Sequence, residues 1–373
     1  MTDDKTVVVL GATGAIGRNL LRCLAKEEGS WIVKAVTRDP FKAETILECK
    51  LPTVQIIQGD PLDQKALEGI CKTADIIFQC ILHLERPQGM RFGNYAAEKW
   101  PKLLDNVLQI TREHPKKRVI FLDNLYAYEV SPDNPIIDLS NQTQVQIRPG
   151  TGSHAAIRSI LIDTIRAHFQ MYPGTVTVVS TSEYFGPNAV ENVFLGKTFT
   201  KRICQGQSPF AIGSATAVHD FCFLPDLAKA LHVVSKYDRA YDNFWICPHS
   251  IKGKTLTELA ADMDKIVRSE STPELDDEDH QEEDGEKEEK PKSTPFNGVT
   301  VMPALMIRTL RPFNAYLREI LDRIHCWKQD YHVDDLAIRA AFNLEATPYE
   351  EALQEYVAMY LHLIENQQQR SIE

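Results

Sequence analysis

The stretch "TVVVLGATGAIGRNL", residues 6–20, constrains this chain more than any other. An uninterrupted apolar run, 7–10, leads straight into Gly11. Gly14 and Gly17 follow at intervals of three, and an apolar-periodic segment begins among them. A strand that ends in a glycine turn and opens a helix has few uses. Gly11 permits a tight turn off the strand, Gly14 lets backbone approach a pyrophosphate with no Cβ in the way, and Gly17 lets the helix pack close to the sheet. The free N–H groups and positive dipole end of the first helical turn, with Thr13 and Ile16 in the loop, would then hold phosphate charge. The alternative is a glycine turn of purely structural origin.

The rest of the first half repeats this unit. Runs 31–37, 53–58, 74–80, 118–123 and 175–182 are apolar and β-branched without polar alternation, the pattern of strands buried on both faces. Helical patterns separate them, including a long one through "AAEKWPKLLDNVLQITREH" and another over roughly 151–171. Such alternation predicts an α/β fold: a Rossmann-type doubly wound parallel sheet with a smaller, mostly helical C-terminal substrate lobe. The expected division is 1–183 plus about 219–250 for the nucleotide-binding domain, and 184–218 with 251–373 for the lobe. "VHDFCFLPDLAKALHVV" and "NFWICP" are expected to return to the main sheet.

Charge and cysteine usage narrow the function classes. The net charge of −11 disfavours nucleic acid, whose phosphates need a basic face. Most of it is local: 268–292 holds twelve acidic against four basic residues. With almost no apolar residues to offset its ordering entropy, the segment 268–293 reads as a disordered acidic insert. No apolar run reaches membrane-spanning length, and "MTDDKTVVVLG" is unlike a secretory signal. The eight cysteines sit in apolar contexts with no CxxC pair or His/Cys cluster, which predicts buried thiols in the cytoplasm and no metal site.

Two positions refine the ligand. The second strand ends in "AVTRD", where Arg38 suits a 2′-phosphate, so NADP is preferred; the adjacent Asp39 keeps NAD open. Asp60, in "QGDPLD", is placed to accept from an adenine amino group, or else caps the next helix.

Taken in order, "GATGAIG", "GDPLD", "FLDNLYAY", "EYFGPN" and "VHDFCFLPDLAKAL" resemble the extended and atypical short-chain dehydrogenase/reductases, and among them the NAD(P)-dependent epimerase/dehydratase-like proteins. The likeness spans about 5–250 and continues weakly to the C-terminus. It implies a Ser or Thr after the fifth strand and a Tyr-x-x-x-Lys on the next helix, whose i, i+4 spacing shares one face. In that set the lysine holds ribose hydroxyls and lowers the tyrosine pKa, and the phenol moves a proton as hydride moves at the nicotinamide. At the matching positions this chain has Asn124, His154 and Arg158. Arg158 retains the capacity to hold ribose hydroxyls but not to lose a proton. His154 is a weak candidate acid, and Tyr126 and Tyr128 are further phenols, as acid or as aromatic wall. His83 lies within topological reach of the nicotinamide side, "FGPN" is expected to shape the loop beside it, and Asp226 reads as a helix cap. Lys197, Lys201 and Arg202 are available to a phosphate- or carboxylate-bearing substrate.

Two function classes follow. One is an NAD(P)(H)-dependent oxidoreductase or epimerase/dehydratase-like enzyme with a substituted acid–base set, acting on a small molecule, with a homodimer as the possible assembly. The other is a dinucleotide-binding redox sensor or scaffold without turnover. An interaction protein with an empty pocket would need the glycine motif to be vestigial.

Overall fold

Val7 and Val9 pack into one hydrophobic cluster and Val8 and Leu10 into another, all four fully buried. A strand with core on both sides has no place for polar alternation. In the computed structural model, which describes residues 5–26, 31–47, 54–84, 92–139, 154–190, 193–271, 298–303, 305, 309 and 324–372, this strand lies in the interior of the main sheet. The sheet comprises β1 (Lys5–Leu10), β2 (Trp31–Thr37), β3 (Val54–Gln58), β4 (Ile76–Gln79), β5 (Arg118–Asn124), β7 (Val176–Thr181) and β11 (Phe244–Ile246), with the two-residue strands β6 (Ile136–Ile137) and β9 (Phe210–Ala211) outside it. Their spatial order is β11-β7-β5-β4-β1-β2-β3, and every neighbouring pair is parallel. The order reverses between β1 and β4, so the loops leaving those two strands part there and form a crevice at the C-terminal edge.

Helices cover both faces. One cluster gathers α1 (Ala15–Ala25) and α7 (Leu224–Val234) with α8 (Leu256–Ser271), α9 (Leu336–Phe342) and α10 (Tyr349–Ile372). The opposite cluster gathers α3 (Gln64–Cys71), α4 (Phe92–Glu113) and α5 (His154–Met171). Between them, α2 (Pro40–Ile46) follows β2, and a short α6 (Lys201–Cys204) lies against α8 and α10. Of the acidic stretch, 268–271 form the last turn of α8 and 272–293 lie outside the described residues.

The return to the main sheet holds only for β11. The chain breaks its line after β7, where the Ser182 hydroxyl donates to the Asp220 carbonyl at 2.7 Å. From there β8 (Glu183–Phe185) pairs in parallel with β10 (Val218–Phe223), and β10 pairs antiparallel with β12 (Ile251–Thr255), making a separate three-stranded sheet. Asp226 is likewise not a cap. It accepts from the Ser250 hydroxyl (2.6 Å), the Thr347 backbone N–H (2.9 Å) and the Thr347 hydroxyl (2.7 Å), tying α7 to the turn that enters α10. Asp220 does the same for β10, accepting from the backbone N–H groups of Gly253 (2.7 Å) and Val333 (2.9 Å). From α10 itself, the Tyr356 hydroxyl lies 3.0 Å from both Ala189 O and Leu195 O, holding the segment that follows β8.

Candidate functional site

The C-terminal ends of β1 to β4 open onto a cleft of about 560 Å³. The loop after β1 supplies Gly11, Thr13 and Gly14 to its wall, and the first turn of α1 supplies Ile16. The end of β2 supplies Arg38, Asp39 and, from α2, Lys42; the end of β3 supplies Asp60; the loop after β4 supplies Leu82 and His83. Six of the seven residues singled out from the sequence as cofactor contacts therefore share one cavity. Gly17 does not line it.

The three glycines do different work. Gly11 has φ +80°, and a Cβ there would lie 2.9 Å from the Ile81 side chain, so the loops after β1 and β4 approach as closely as they do only because it has none. At Gly17 a Cβ would lie 2.2 Å from Gly11 O, against backbone that cannot yield cheaply. Gly14 is different: its φ of −71° suits any residue, and a Cβ would meet only Gly11 O at 3.3 Å. Backbone strain does not require glycine at that point, and the crowding a Cβ would meet is confined to that one tight contact with Gly11 O. Gly14 caps α1 with no side-chain bond, and the first turn of α1 carries no acidic residue. The first N–H groups of a helix have no intrahelical acceptor, and here they end at the cleft.

The two acidic residues beside the cleft resolve by geometry. Asp39 accepts from Lys42 N–H at 3.0 Å and caps α2, with Pro40 in the first helical position. Its carboxylate is engaged there, while Arg38 is exposed on the cleft wall. The cap of α3 is Asp63, which accepts from Ala66 N–H at 3.1 Å, and not Asp60. Asp60 accepts from Leu62 N–H at 2.9 Å and faces the cleft.

The candidates for acid–base work separate sharply. Asn124 ends β5, 8% exposed, and its Oδ1 accepts from Tyr126 N–H at 3.2 Å to cap a short 3₁₀ turn, Leu125–Ala127. Arg158 is 2% exposed and pairs with the equally buried Asp123 at 2.8 Å. Its guanidinium also donates to Leu82 O at 3.3 Å and lies 4.0 Å over the Trp100 ring. Burial pushes the Asp123 carboxyl up and the Arg158 guanidinium down, against their mutual attraction. Arg158 thus fastens the helix α5 to the strand β5 and the loop after β4, and is not among the cleft-lining residues. Tyr128 is 1% exposed in the core, with its phenol pushed up by burial, so it is not a phenol of the crevice mouth. His154 begins α5, and its side chain lies outside the described residues.

Of the two phenols, Tyr126 is the one outside the buried core, though it is likewise not among the cleft-lining residues. It is half-buried, and its hydroxyl donates to Glu183 Oε1. The same oxygen accepts from Trp327 Nε1 at 3.3 Å. Sequence reasoning passed over Glu183, although one acidic residue at the end of the buried run "VTVVSTSE" was a signal. It also passed over two phenols on the cleft wall, Tyr95 and Tyr184. The "FGPN" turn packs against α1, where Asn19 Nδ2 donates to Pro187 O at 2.8 Å. Asn188 there has φ +68°. Among the described residues no His/Cys/Asp/Glu group could hold a metal ion.

The sequence profile of the NAD dependent epimerase/dehydratase family matches residues 7–247. Three solved structures share the architecture over nearly the whole chain. A dTDP-glucose 4,6-dehydratase from Bacillus anthracis str. Ames, in complex with NAD, is 13% identical, with 97% of this chain and 98% of that one covered at a TM-score of 0.69. A UDP-glucuronic acid 4-epimerase from Bacillus cereus, in complex with NAD, is 11% identical over 96% and 99% at 0.67. A UDP-glucose 4-epimerase from Thermotoga maritima, with UDP-glucose, is 14% identical over 96% and 99% at 0.68. Identities this low speak to the fold.

Proposed function

The chain belongs to the NAD dependent epimerase/dehydratase family, and from that footing we propose that it binds NADP(H) in preference to NAD(H) in the glycine-loop cleft and carries out redox chemistry on a small molecule. The observation that carries this reading is Gly14: it lines the cleft with only Gly11 O near its Cβ position, at 3.3 Å, and the N-terminus of α1, with no side-chain cap, opens there. A pyrophosphate on those N–H groups satisfies both. Asp60 is the residue for the adenine side. The 2′-phosphate falls to Arg38 and Lys42, because Asp39, whose charge would oppose it, is occupied in capping α2. The bound nicotinamide supplies hydride transfer.

For the proton, the reading assigns Tyr126, with Glu183 accepting its hydroxyl hydrogen bond. Asn124 and Arg158 take the places of the family's serine and lysine and serve as supports, the first as a cap and the second in a buried ion pair. Those same two observations favour a second reading, dinucleotide binding without turnover, as a sensor or scaffold. None of the seven described cysteines is paired in a disulfide with another described cysteine, and no described helix is long and apolar enough to cross a membrane; a cytoplasmic setting is proposed. A homodimer is the proposed assembly, read by sedimentation velocity.

Calorimetric titration with NADPH and NADH, followed by reduced-nicotinamide absorbance over a carbonyl and sugar-nucleotide panel, tests the reading. Tight NADPH binding with cofactor oxidation supports the enzyme. Binding without turnover across the panel puts the sensor first. No binding of either dinucleotide overturns the proposal.

A further inference from the structure

Tyr184 reaches the cleft from outside the main sheet. It is half-buried on β8, in parallel register with Cys222 of β10, and so belongs to the separate three-stranded sheet. Every other described residue of the cleft wall comes from β2, from the loops after β1 to β4, or from α1, α2 and α4. The helix α7 continues β10 without a break and packs on α1, which sets where the small sheet lies as a whole. The turn immediately after Tyr184 has unusual backbone and needs an anchor of its own. Gly186 has φ +123°, with a Cβ position only 2.9 Å from the Phe223 ring, and Asn188 has φ +68°.

Asn19 supplies that anchor. It is 5% exposed, one turn along α1 from the N-terminus that opens at the cleft. Its Nδ2 donates to Ala15 O at 2.8 Å within the helix and to Pro187 O at 2.8 Å in the turn, so both amide hydrogens are engaged. The neighbouring Arg18 adds a longer bond, from its guanidinium to Asn188 O at 3.4 Å. The loop after β4 is held independently of these: the Gln79 amide bonds both the N–H and the carbonyl of Ile81, at 3.1 and 3.2 Å, and Arg158 donates to Leu82 O. Asn19 thus joins the helix whose N-terminus opens at the cleft to the turn that follows Tyr184.

In the order of the main sheet, Arg38, Lys42 and Asp60 stand at the ends of β2 and β3, on one side of β1, and β7, which leads into β8, stands on the other. A dinucleotide with its adenosine at the first group and its pyrophosphate on α1 therefore sends its remaining half toward Tyr184. We propose that Asn19 is a positioning residue: through Pro187 it sets the Tyr184 ring against the nicotinamide half, so that one helix registers both the pyrophosphate and the ring that packs on the nicotinamide. Asn19 has this role only if the dinucleotide reading holds.

Calorimetry on the full chain with NADPH and with adenosine 2′,5′-bisphosphate, which lacks the nicotinamide half, tests the role. Asn19→Leu keeps the bulk of the side chain and removes the donor. It should weaken NADPH roughly fivefold or more and leave the bisphosphate within about twofold, whereas a purely structural loss would not separate the two ligands. Tyr184→Leu should give the same pattern, and the double variant should bind NADPH no more weakly than Tyr184→Leu alone, because the bond acts through that ring. Losses that multiply in the double variant, equal weakening of both ligands in Asn19→Leu, or NADPH affinity unchanged in either single variant would each overturn the positioning role. If far-ultraviolet circular dichroism shows Asn19→Leu unfolded, Tyr184→Leu decides: NADPH affinity equal to wild type overturns the role, and selective loss of NADPH supports it. Wild-type protein that binds neither ligand would overturn the dinucleotide reading itself, an outcome distinct from all of these.

Discussion

Replacing Arg158 with methionine leaves the Asp123 carboxylate buried, 2% exposed, with its only guanidinium partner gone. Deleting one member of a buried ion pair costs about 3–5 kcal/mol, because the remaining charge has neither water nor a counterion. At roughly 2.1 cal/mol/K of unfolding entropy per residue, the 373 residues of this chain convert that into a melting temperature lower by about 4–6 °C. The double replacement Asp123→Leu/Arg158→Met removes both charges from the same apolar setting and should recover most of the loss. The assay is thermal unfolding followed by circular dichroism, with NADPH titrated at 20 °C, well below the transition. NADPH affinity should stay within about threefold of wild type, because Arg158 touches the cleft only through the Leu82 carbonyl. A melting temperature that does not move, paired with a tenfold loss of NADPH affinity, would mean that Arg158 holds the ribose and would refute the assignment of the pair to support.

Gly14→Val should weaken NADPH binding by more than tenfold with the smaller loss of stability, since its Cβ meets Gly11 O at 3.3 Å, whereas Gly17→Ala should lower the melting temperature more by driving a Cβ to 2.2 Å from the same oxygen; titration and thermal unfolding of both variants read the contrast. Arg38→Asp should weaken NADPH at least tenfold relative to NADH, and an unchanged ratio of the two dissociation constants would remove Arg38 from the 2′-phosphate. Burial lowers His219 and His249 to about 4, below the roughly 6.5 of an unfolded histidine, so between these values the unfolded chain binds the extra protons. Stability should therefore be fully present above about pH 6.5 and fall as the pH drops toward 4, by up to about 1.4 kcal/mol per pH unit for each ring, as read by urea unfolding at successive pH values. His219→Phe should flatten that slope, and a slope unchanged by it would place the titration elsewhere.

The strands β1, β2, β4, β5 and β7 could be read from the sequence because their runs are largely apolar, a pattern that burial between two helix layers imposes; β3, expected to be buried on both faces, is instead the edge strand, with Gln55 and Gln58 exposed. The glycine loop was readable for a related reason: its geometry is local, and three backbone positions settle it. What the sequence left undecided depends on contacts across distance. Asp60 and Asp63 are equally good caps by type, and only the point at which α3 begins selects Asp63. Asp226 has the position of a first-turn acid, yet its partners are Ser250 and Thr347. Arg158 carries the spacing of a functional residue, and only Asp123 and Trp100 beside it reveal that its charge is already balanced. Glu183 stands apart from its apolar neighbours as one letter, but no spacing rule connects it to Tyr126 or Trp327.

The buried carboxylates that clasp the second half of the chain have an implication for the order in which the protein is made. Asp220 waits for Val333, 113 residues downstream, and Asp226 for Thr347, 121 residues downstream. A chain growing from its N-terminus presents the glycine loop and all seven strands of the main sheet before Val333 and Thr347 are made. Until those residues arrive, Asp220 has Gly253 and Asp226 has Ser250, but each buried acid lacks its remaining donors. Cotranslational folding of this protein should therefore stall with its nucleotide half formed, and the segment from Val333 to Thr347 should act as the latch that completes it.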